Sequence, residues 1–233
     1  MQNLYYSVMN VPAILLPPFL PNLYDLAIML HGNPVLRVDH HRFSRKSRVH
    51  RGKIRTPEGE TQWINLPVHP DDRRKPIKDV RLDSTENWPS EWMKQLTYCY
   101  SSSTWFDFFE AELAADFKTA GEMEYLTEAT HFLFEKIRGY LEIPAIHLTP
   151  AKEHPYWDEN PEQVASGSGA GKIYQEHRSR HYLRQAECRI DPPVSFPEYH
   201  QTGTGFVPWC CWLDLLFEYG PEAFKVVDEL SEV

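Results

Sequence analysis

The chain has 233 residues, of which 42% are hydrophobic and 13% aromatic, enough apolar sequence for one large domain with a sizeable core. Its net charge of −9 argues against general nucleic-acid binding, because that affinity depends on neutralising phosphates with lysine and arginine. No run of about 18 apolar residues predicts a membrane span, and four cysteines without C-x-x-C spacing predict reduced thiols in a cytoplasmic protein.

The first forty residues predict an α/β unit. Residues 11–16 form an apolar run typical of a buried strand, and Pro17 and Pro18 end it. Asn22 is a suitable N-cap for a helix that stops near residues 32–33, and residues 35–38 predict a second strand. We therefore expect a Rossmann-like βαβ opening, whose first loop can present backbone groups to a ligand.

A basic segment follows this unit. Residues 37–81 contain 13 lysines and arginines against 6 acidic residues, in a chain that is acidic elsewhere. Such a segment is either a solvated basic face or a site for an anionic ligand. Lys46, Arg48 and Arg51 are the candidate phosphate-binding residues, since arginine forks bind phosphate through two hydrogen bonds. Residues 55–68 predict a hairpin that turns at residues 56–59, and residues 77–82 predict another strand.

Helical periodicity dominates from Ser90, the expected N-cap of the next helix, to about residue 141. Residues 145–148 and 188–190 predict short strands, and residues 172–185, 208–218 and 222–230 predict helices. The expected fold is therefore α/β, with a mixed β-sheet, flanking helices and a helical block at about 90–141, in one domain over residues 1–233.

A glycine loop at about 150–171 ends in the sequence SGSGAG before Lys172. Glycines and a following helix N-terminus can bind an anion through backbone N–H groups. The loop lacks the Walker A pattern, however, because Ser166 stands where a glycine is needed and Ile173 follows Lys172. It is either a flexible linker or a ligand loop of another kind.

The C-terminal stretch of residues 195–220 combines Tyr199, Gln201, a two-glycine turn and an apolar helix containing Asp214. A buried carboxylate needs a partner, so Asp214 is either a structural anchor or a catalytic base or substrate hook. Cys210 and Cys211 fit core packing better than thiolate chemistry. His177 and His181 have metal-ligand spacing, although a solvent-facing pair explains them more simply.

Four stretches together resemble the WbqC-like proteins of bacteria. They are LPPFLPNLYDLAIML, FSRKSRVHRGKIRTPEGETQWINLPV, ASGSGAGKIY and EYHQTGTGFVPWCCWLDLLFEYGPEA. Two places depart from the family pattern: residues 49–51 stand where an Asn-Arg pair is common, and Cys210 and Cys211 stand where small hydroxyl residues are common.

The resemblance implies a setting in bacterial surface-polysaccharide biosynthesis. It suggests a transferase acting on an activated, phosphorylated or nucleotide-linked sugar; no particular cofactor is indicated. Asp214 would act as a catalytic base or as a carboxylate that binds the substrate, with Tyr199 and Gln201 orienting the substrate. The remaining candidates would hold the anionic group or close over it: Lys46, Arg48, Arg51, Ser166, Gly167, Gly169, Gly171 and Tyr174. The alternatives are a non-catalytic scaffold in a glycan-assembly complex and a histidine-based metal hydrolase.

Overall fold

A parallel sheet organises the chain in the computed structural model, which describes residues 11–157, 198–203 and 205–230, together with 164, 167, 174 and 175. Its strand order is β5-β2-β1-β6, and the neighbouring strands are parallel. These strands are β1 (Val11–Leu15), β2 (Gly32–Arg37), β5 (Leu148–Pro150) and β6 (Tyr174–Gln175). A separate antiparallel hairpin consists of β3 (Arg51–Arg55) and β4 (Thr61–Asn65).

The α/β class and the opening βαβ unit are confirmed. Helix α1 (Leu23–His31) connects the parallel strands β1 and β2. Asn22 starts the helix with a capping box: its side chain accepts from the Asp25 N–H, and the Asp25 carboxylate accepts from the Asn22 N–H. The parallel and antiparallel pairings expected in one mixed sheet lie in two sheets.

The helical block contains α2 (Trp88–Tyr100), α3 (Phe106–Gly121) and α4 (Leu126–Tyr140), and each helix packs against the next. Near the C-terminus, α5 (Trp212–Tyr219) packs against α3 and α4, and α6 (Phe224–Glu229) follows a short 3-10 turn. Within the described part of the chain, none of the helices has the length and apolar character needed to cross a membrane.

Several local predictions are wrong. The strand predicted over residues 145–148 begins only at Leu148. Residues 77–82 form no regular strand: Ile77–Asp79 is a 3-10 turn, followed by isolated bridges at Arg81 and Leu82. Helix α2 begins at Trp88, so Ser90 lies inside it. The helix predicted over residues 172–185 is interrupted at its start, because Tyr174 and Gln175 form β6; its other residues, like the strand predicted over 188–190, lie outside the described part of the chain.

Both faces of the sheet are buried. Ala13, Leu15 and Val35 face the main core, whereas Ile14 and Leu36 face a smaller cluster, as the alternation of strand side chains requires. Strands β2 and β5 lie on one side of β1 and β6 lies on the other. The carboxyl end of β1 is therefore a point where the strand order reverses, and ligands of open α/β sheets bind at such points.

Candidate functional site

A cavity of about 190 Å³ is lined in part by the loop that follows β1. Four segments of the chain form it: the loop from β1 to α1, the start of α1, the hairpin β3–β4 and the segment before α5. We call it the basic cavity, and its lining residues are Phe19, Leu20, Asn22, Asp25, Arg48, Arg51, Gly52, Lys53, Trp63, Trp209 and Cys211.

Three cationic side chains give the basic cavity its charge. Arg48 lies in the 3-10 turn before β3, and Arg51 and Lys53 lie two residues apart on β3, so they share one face of the strand. Both stack near Trp63 on the opposite strand: the Arg51 guanidinium carbon lies 4.5 Å, and the Lys53 ammonium 5.4 Å, from the ring centroid. The hairpin register thus brings cations and an aromatic ring together.

Asp25 supplies the carboxylate of the basic cavity. Its Oδ2 accepts hydrogen bonds from the Asn22 N–H, at 3.2 Å, and from the Arg48 guanidinium. Its Oδ1 is buried and has no hydrogen-bond partner among the described residues. Buried carboxylate oxygens are ordinarily satisfied, so this atom is an exception.

Two residues of the basic cavity adopt backbone conformations that side chains rarely occupy. Leu20 has φ of 44° and Trp209 has φ of 70°. Leu20 also approaches Gly52 closely, since a Cβ at that glycine would lie 2.8 Å from the Leu20 Cβ. Such outliers persist only where the surrounding structure imposes them, and they concentrate at functional sites.

Asp214 lies in a separate, buried group of polar side chains. Its Oδ1 accepts from the Tyr100 hydroxyl at 2.9 Å, and its Oδ2 accepts from the Tyr199 hydroxyl at 2.7 Å and the Gln201 amide at 2.8 Å. The Arg55 Nε lies 3.4 Å from Oδ1. Asp214 is fully buried, so every one of these contacts is shielded from solvent.

Glu218, one helical turn after Asp214 on α5, extends this group. Its Oε1 accepts from the Arg55 guanidinium at 2.8 Å and from the Ser103 hydroxyl at 2.9 Å. The same Oε1 accepts from the Thr202 N–H, and Oε2 accepts from the Thr202 hydroxyl. We call the whole group the Asp214 network, and its members are Arg55, Tyr100, Ser103, Tyr199, Gln201, Thr202, Asp214 and Glu218.

Burial dominates the ionisation behaviour of the Asp214 network. It raises the pKa of Asp214 above its ordinary value, against the hydrogen bond from Tyr199 and the charge of Arg55, which lower it. Burial and the Asp214 charge raise the pKa of Tyr100 and of Tyr199 well above the usual range, so both remain hydroxyl donors. Burial also raises the pKa of the Cys211 thiol to about 12, which disfavours a reactive thiolate.

The two groups are joined through the segment that precedes α5. The Cys211 N–H donates to the Lys53 carbonyl at 2.7 Å, and the Trp212 N–H donates to the Pro21 carbonyl at 2.8 Å. Gln201 fixes the start of the same segment, because its amide bonds both the N–H and the carbonyl of Val207. The Asp214 network therefore holds the chain that carries Trp209 against the basic cavity.

The structure separates the candidates predicted from sequence. Arg48 and Arg51 line the basic cavity, whereas Lys46 is exposed and is not among its lining residues. Tyr199, Gln201 and Asp214 meet one another in the Asp214 network, away from the cavity lining.

The glycine loop is described only in part. Gly167 packs directly on the ring of Tyr156, where a Cβ would overlap that ring, and the backbone of Tyr174 pairs with β1. The predicted positions Ser166, Gly169 and Gly171 lie outside the described residues.

Asp25, Lys53, Trp63 and Trp209 are among the residues of the basic cavity that were not predicted. The hairpin predicted to turn at residues 56–59 brings the strands of Lys53 and Trp63 together, and the observed register, with Arg55 paired to Thr61, sets the two residues opposite each other. Asp25 reads as an ordinary member of a capping box, and nothing near Trp209 in the sequence indicates its backbone conformation.

Metal binding has no support in the part of the chain that the structure describes, where no group of three His, Cys, Asp or Glu side chains is placed to hold an ion. His177 and His181 lie outside that part.

Comparison with known proteins gives one match. No curated protein and no solved structure matches the chain. The model of the WbqC-like protein family matches residues 17–226, which include every residue of the basic cavity and of the Asp214 network. The chain therefore belongs to the WbqC-like protein family.

Proposed function

We propose that the chain is a transferase that acts on an activated sugar, phosphorylated or nucleotide-linked, in bacterial surface-polysaccharide biosynthesis. The observation that supports this proposal is the basic cavity, where Arg48, Arg51 and Lys53 line one enclosure with Trp63 and Trp209. Guanidinium and ammonium groups bind phosphate oxygens, and indole rings pack against the flat face of a sugar or base.

The size of the cavity is consistent with part of such a ligand. Its volume of about 190 Å³ is below the roughly 300–1,000 Å³ typical of pockets that enclose a drug-sized molecule. We expect the phosphate and the adjoining sugar to enter the cavity, while the rest of the molecule lies outside it. Trp209 lines the cavity and is 47% exposed.

In this proposal the Asp214 network positions the site. Asp214, Tyr199 and Gln201 are buried against one another and against Arg55, so the geometry favours the structural anchor over the catalytic base. Their contribution is to hold the described residues of the segment before α5, among them Trp209, in place.

The variant Arg51→Ala tests whether the basic cavity binds the phosphate of the ligand. Removing one charge-assisted contact should weaken binding of sugar nucleotides at least about tenfold, equivalent to roughly 1.4 kcal/mol. Isothermal titration calorimetry with a panel of UDP-, GDP- and dTDP-sugars measures the change. Arg45→Ala is the matched control, since Arg45 belongs to the same basic segment but is exposed and does not line the cavity.

Equal affinities of wild type, Arg51→Ala and Arg45→Ala for sugar nucleotides would show that Arg51 does not contribute to ligand binding. A panel in which no sugar nucleotide, sugar phosphate or acyl donor raises the unfolding midpoint would contradict the proposal as a whole.

One observation favours the scaffold alternative. Tyr98 on α2 and Phe108 on α3 are 62% and 63% exposed, and exposed aromatic residues are common in protein interfaces. A protein that co-purifies with the chain, together with a flat ligand panel, would support this alternative.

A further inference from the structure

A second cavity is lined by strand β4 and by residues 86–95, which include the first turns of α2. Its volume is about 380 Å³, within the roughly 300–1,000 Å³ typical of pockets for small ligands. We call it the amide groove, because amides predominate among its polar lining residues, which are Asn65, Glu86, Asn87, Glu91 and Gln95. None of these five residues lines the basic cavity or belongs to the Asp214 network.

The polar side chains of the amide groove are accessible to a ligand. Asn65, Glu86 and Asn87 are exposed, and among the described residues their side chains make no hydrogen bond or ion pair. Asn87 precedes α2 as its N-cap residue, yet its side chain does not cap the helix. Gln95 accepts from the Gln62 amide at 3.2 Å. The groove therefore presents both donors and acceptors to a molecule that enters it.

The charged side chains that line the amide groove are both carboxylates. They belong to Glu86 and Glu91, and Glu91 is paired with Lys94 at 2.7 Å. A phosphate in the groove would be repelled by these carboxylates. Amide groups next to a carboxylate suit hydroxyl groups instead, because a hydroxyl both donates and accepts hydrogen bonds. The groove therefore favours an uncharged polyol over an anion.

Three tryptophans complete the amide groove. Trp63 is half-buried, whereas Trp88 and Trp92 are almost fully buried beside it. Indole rings pack against the apolar face of a sugar ring, so the groove combines the two kinds of contact that a saccharide makes. Trp63 lines the basic cavity as well. A molecule in the amide groove therefore lies next to the proposed binding site of the activated sugar.

We infer that the amide groove binds an uncharged saccharide, whose hydroxyl groups form hydrogen bonds with Glu86 and Asn87, and that this saccharide is the second substrate of the transferase. The role as second substrate rests on the proposed function, because it requires an activated sugar in the basic cavity. The binding of the saccharide does not. Two substrates that meet at Trp63 would be held close together, as a reaction between them requires.

Titrations of the full chain with uncharged trisaccharides test the inference. The probes are maltotriose, cellotriose, mannotriose and triacetylchitotriose, and ligand-observed NMR measures their dissociation constants. We expect wild type to bind at least one of them. Glu86→Ala and Asn87→Ala should each weaken that binding about threefold to tenfold, which corresponds to the net contribution of one hydrogen bond.

Two controls accompany these variants. Glu60→Ala removes an exposed glutamate that does not line the groove, and it should keep the wild-type affinity. Glu86 and Asn87 are exposed, so their alanine variants should unfold at the wild-type midpoint. A saturating sugar nucleotide should not displace the trisaccharide, because the two cavities have only Trp63 in common.

The outcomes separate the inference from the proposed function. Wild type that binds none of the four probes overturns the inference, and so do equal affinities of wild type, Glu86→Ala and Asn87→Ala. Displacement of the trisaccharide by a sugar nucleotide overturns the assignment to separate sites. Tighter binding of chitotriose, which carries ammonium groups, than of triacetylchitotriose overturns the assignment to an uncharged ligand. If a trisaccharide binds but no sugar nucleotide does, the proposed function fails and the groove remains a saccharide-binding site.

Discussion

Asp214→Asn distinguishes a structural anchor from a catalytic group. The substitution keeps the shape of the side chain but replaces one carboxylate oxygen by an NH₂ group. That group then faces donors, whichever way the amide is turned: the Tyr100 hydroxyl on one side, or the Tyr199 hydroxyl and Gln201 amide on the other. The Arg55 guanidinium also loses the charge that lies 3.4 Å from its Nε.

The expected cost follows from these contacts. Breaking a buried ion pair by removing one partner typically costs about 3–5 kcal/mol. The asparagine retains one acceptor and Glu218 still pairs with Arg55, so we expect a loss near the lower limit, about 3 kcal/mol. For a chain of this size, such a loss lowers the unfolding midpoint by about 6–12 °C.

Urea unfolding measures this loss directly, because a change in the midpoint concentration at constant slope reports stability. The control is Asp107→Asn, an exposed position where we expect a change within about 0.5 kcal/mol. If Asp214→Asn unfolds like wild type but no longer binds any sugar phosphate, Asp214 contacts the substrate and the structural explanation is refuted.

Two further predictions concern pH. Burial, followed by the charges of Arg51 and Arg45, lowers the pKa of His50 from 6.5 to about 4. The unfolded chain then binds more protons between these values, so the free energy of unfolding should decrease by about 3 kcal/mol as the pH falls from about 7 to 4. His50→Gln should remove this dependence in urea titrations, and the exposed control His131→Gln should not; an unchanged profile in His50→Gln would exclude His50 as its source. The buried Asp72 accepts two hydrogen bonds from the Arg81 guanidinium and pairs with Lys75, and these contacts hold its pKa well below the usual range. Its stabilisation is present above the unfolded pKa and is lost as the pH falls through the folded value. Asp72→Asn should therefore cost about 2 kcal/mol at pH 7 and progressively less in acid, whereas Asp71→Asn, with a side chain 84% exposed, should cost little at any pH. A cost for Asp72→Asn that is independent of pH would show that the ion pair is not responsible.

The sequence identified the fold class but misplaced some elements, for reasons that the structure explains. Ile77 and Val80 are buried three residues apart, and this spacing suits the 3-10 turn that forms there as well as part of a strand. A strand also needs a neighbour along its length, which a single sequence does not show. Pro89 favours the first turn of a helix, so it was a better signal for the start of α2 than Ser90.

Residues of the candidate site could be predicted only where a local sequence pattern indicated them. Arg48 and Arg51 were singled out because they belong to one basic segment, and the structure shows that both line the basic cavity. The contacts of Asp214 could not be predicted, because a carboxylate within an apolar helix is compatible with either a structural role or a role as catalytic base. Its partner Arg55 lies on a distant hairpin, and only the folded chain shows that the two side chains meet.

The closure of the basic cavity by Trp209 and Cys211 sets a limit on the order of folding. Residues 19–25 and 48–63 leave the ribosome well before Trp209 and Cys211, which complete the wall of the cavity. Long-range closure is also needed elsewhere, since His31 bonds the Leu230 carbonyl across 199 positions. Contacts of such separation form late, because the entropy of closing the loop must be lost first. A ligand that requires the complete cavity binds only the finished protein, and by binding it shifts the folding equilibrium towards that state. The supply of such a ligand during synthesis would then influence how much folded protein accumulates.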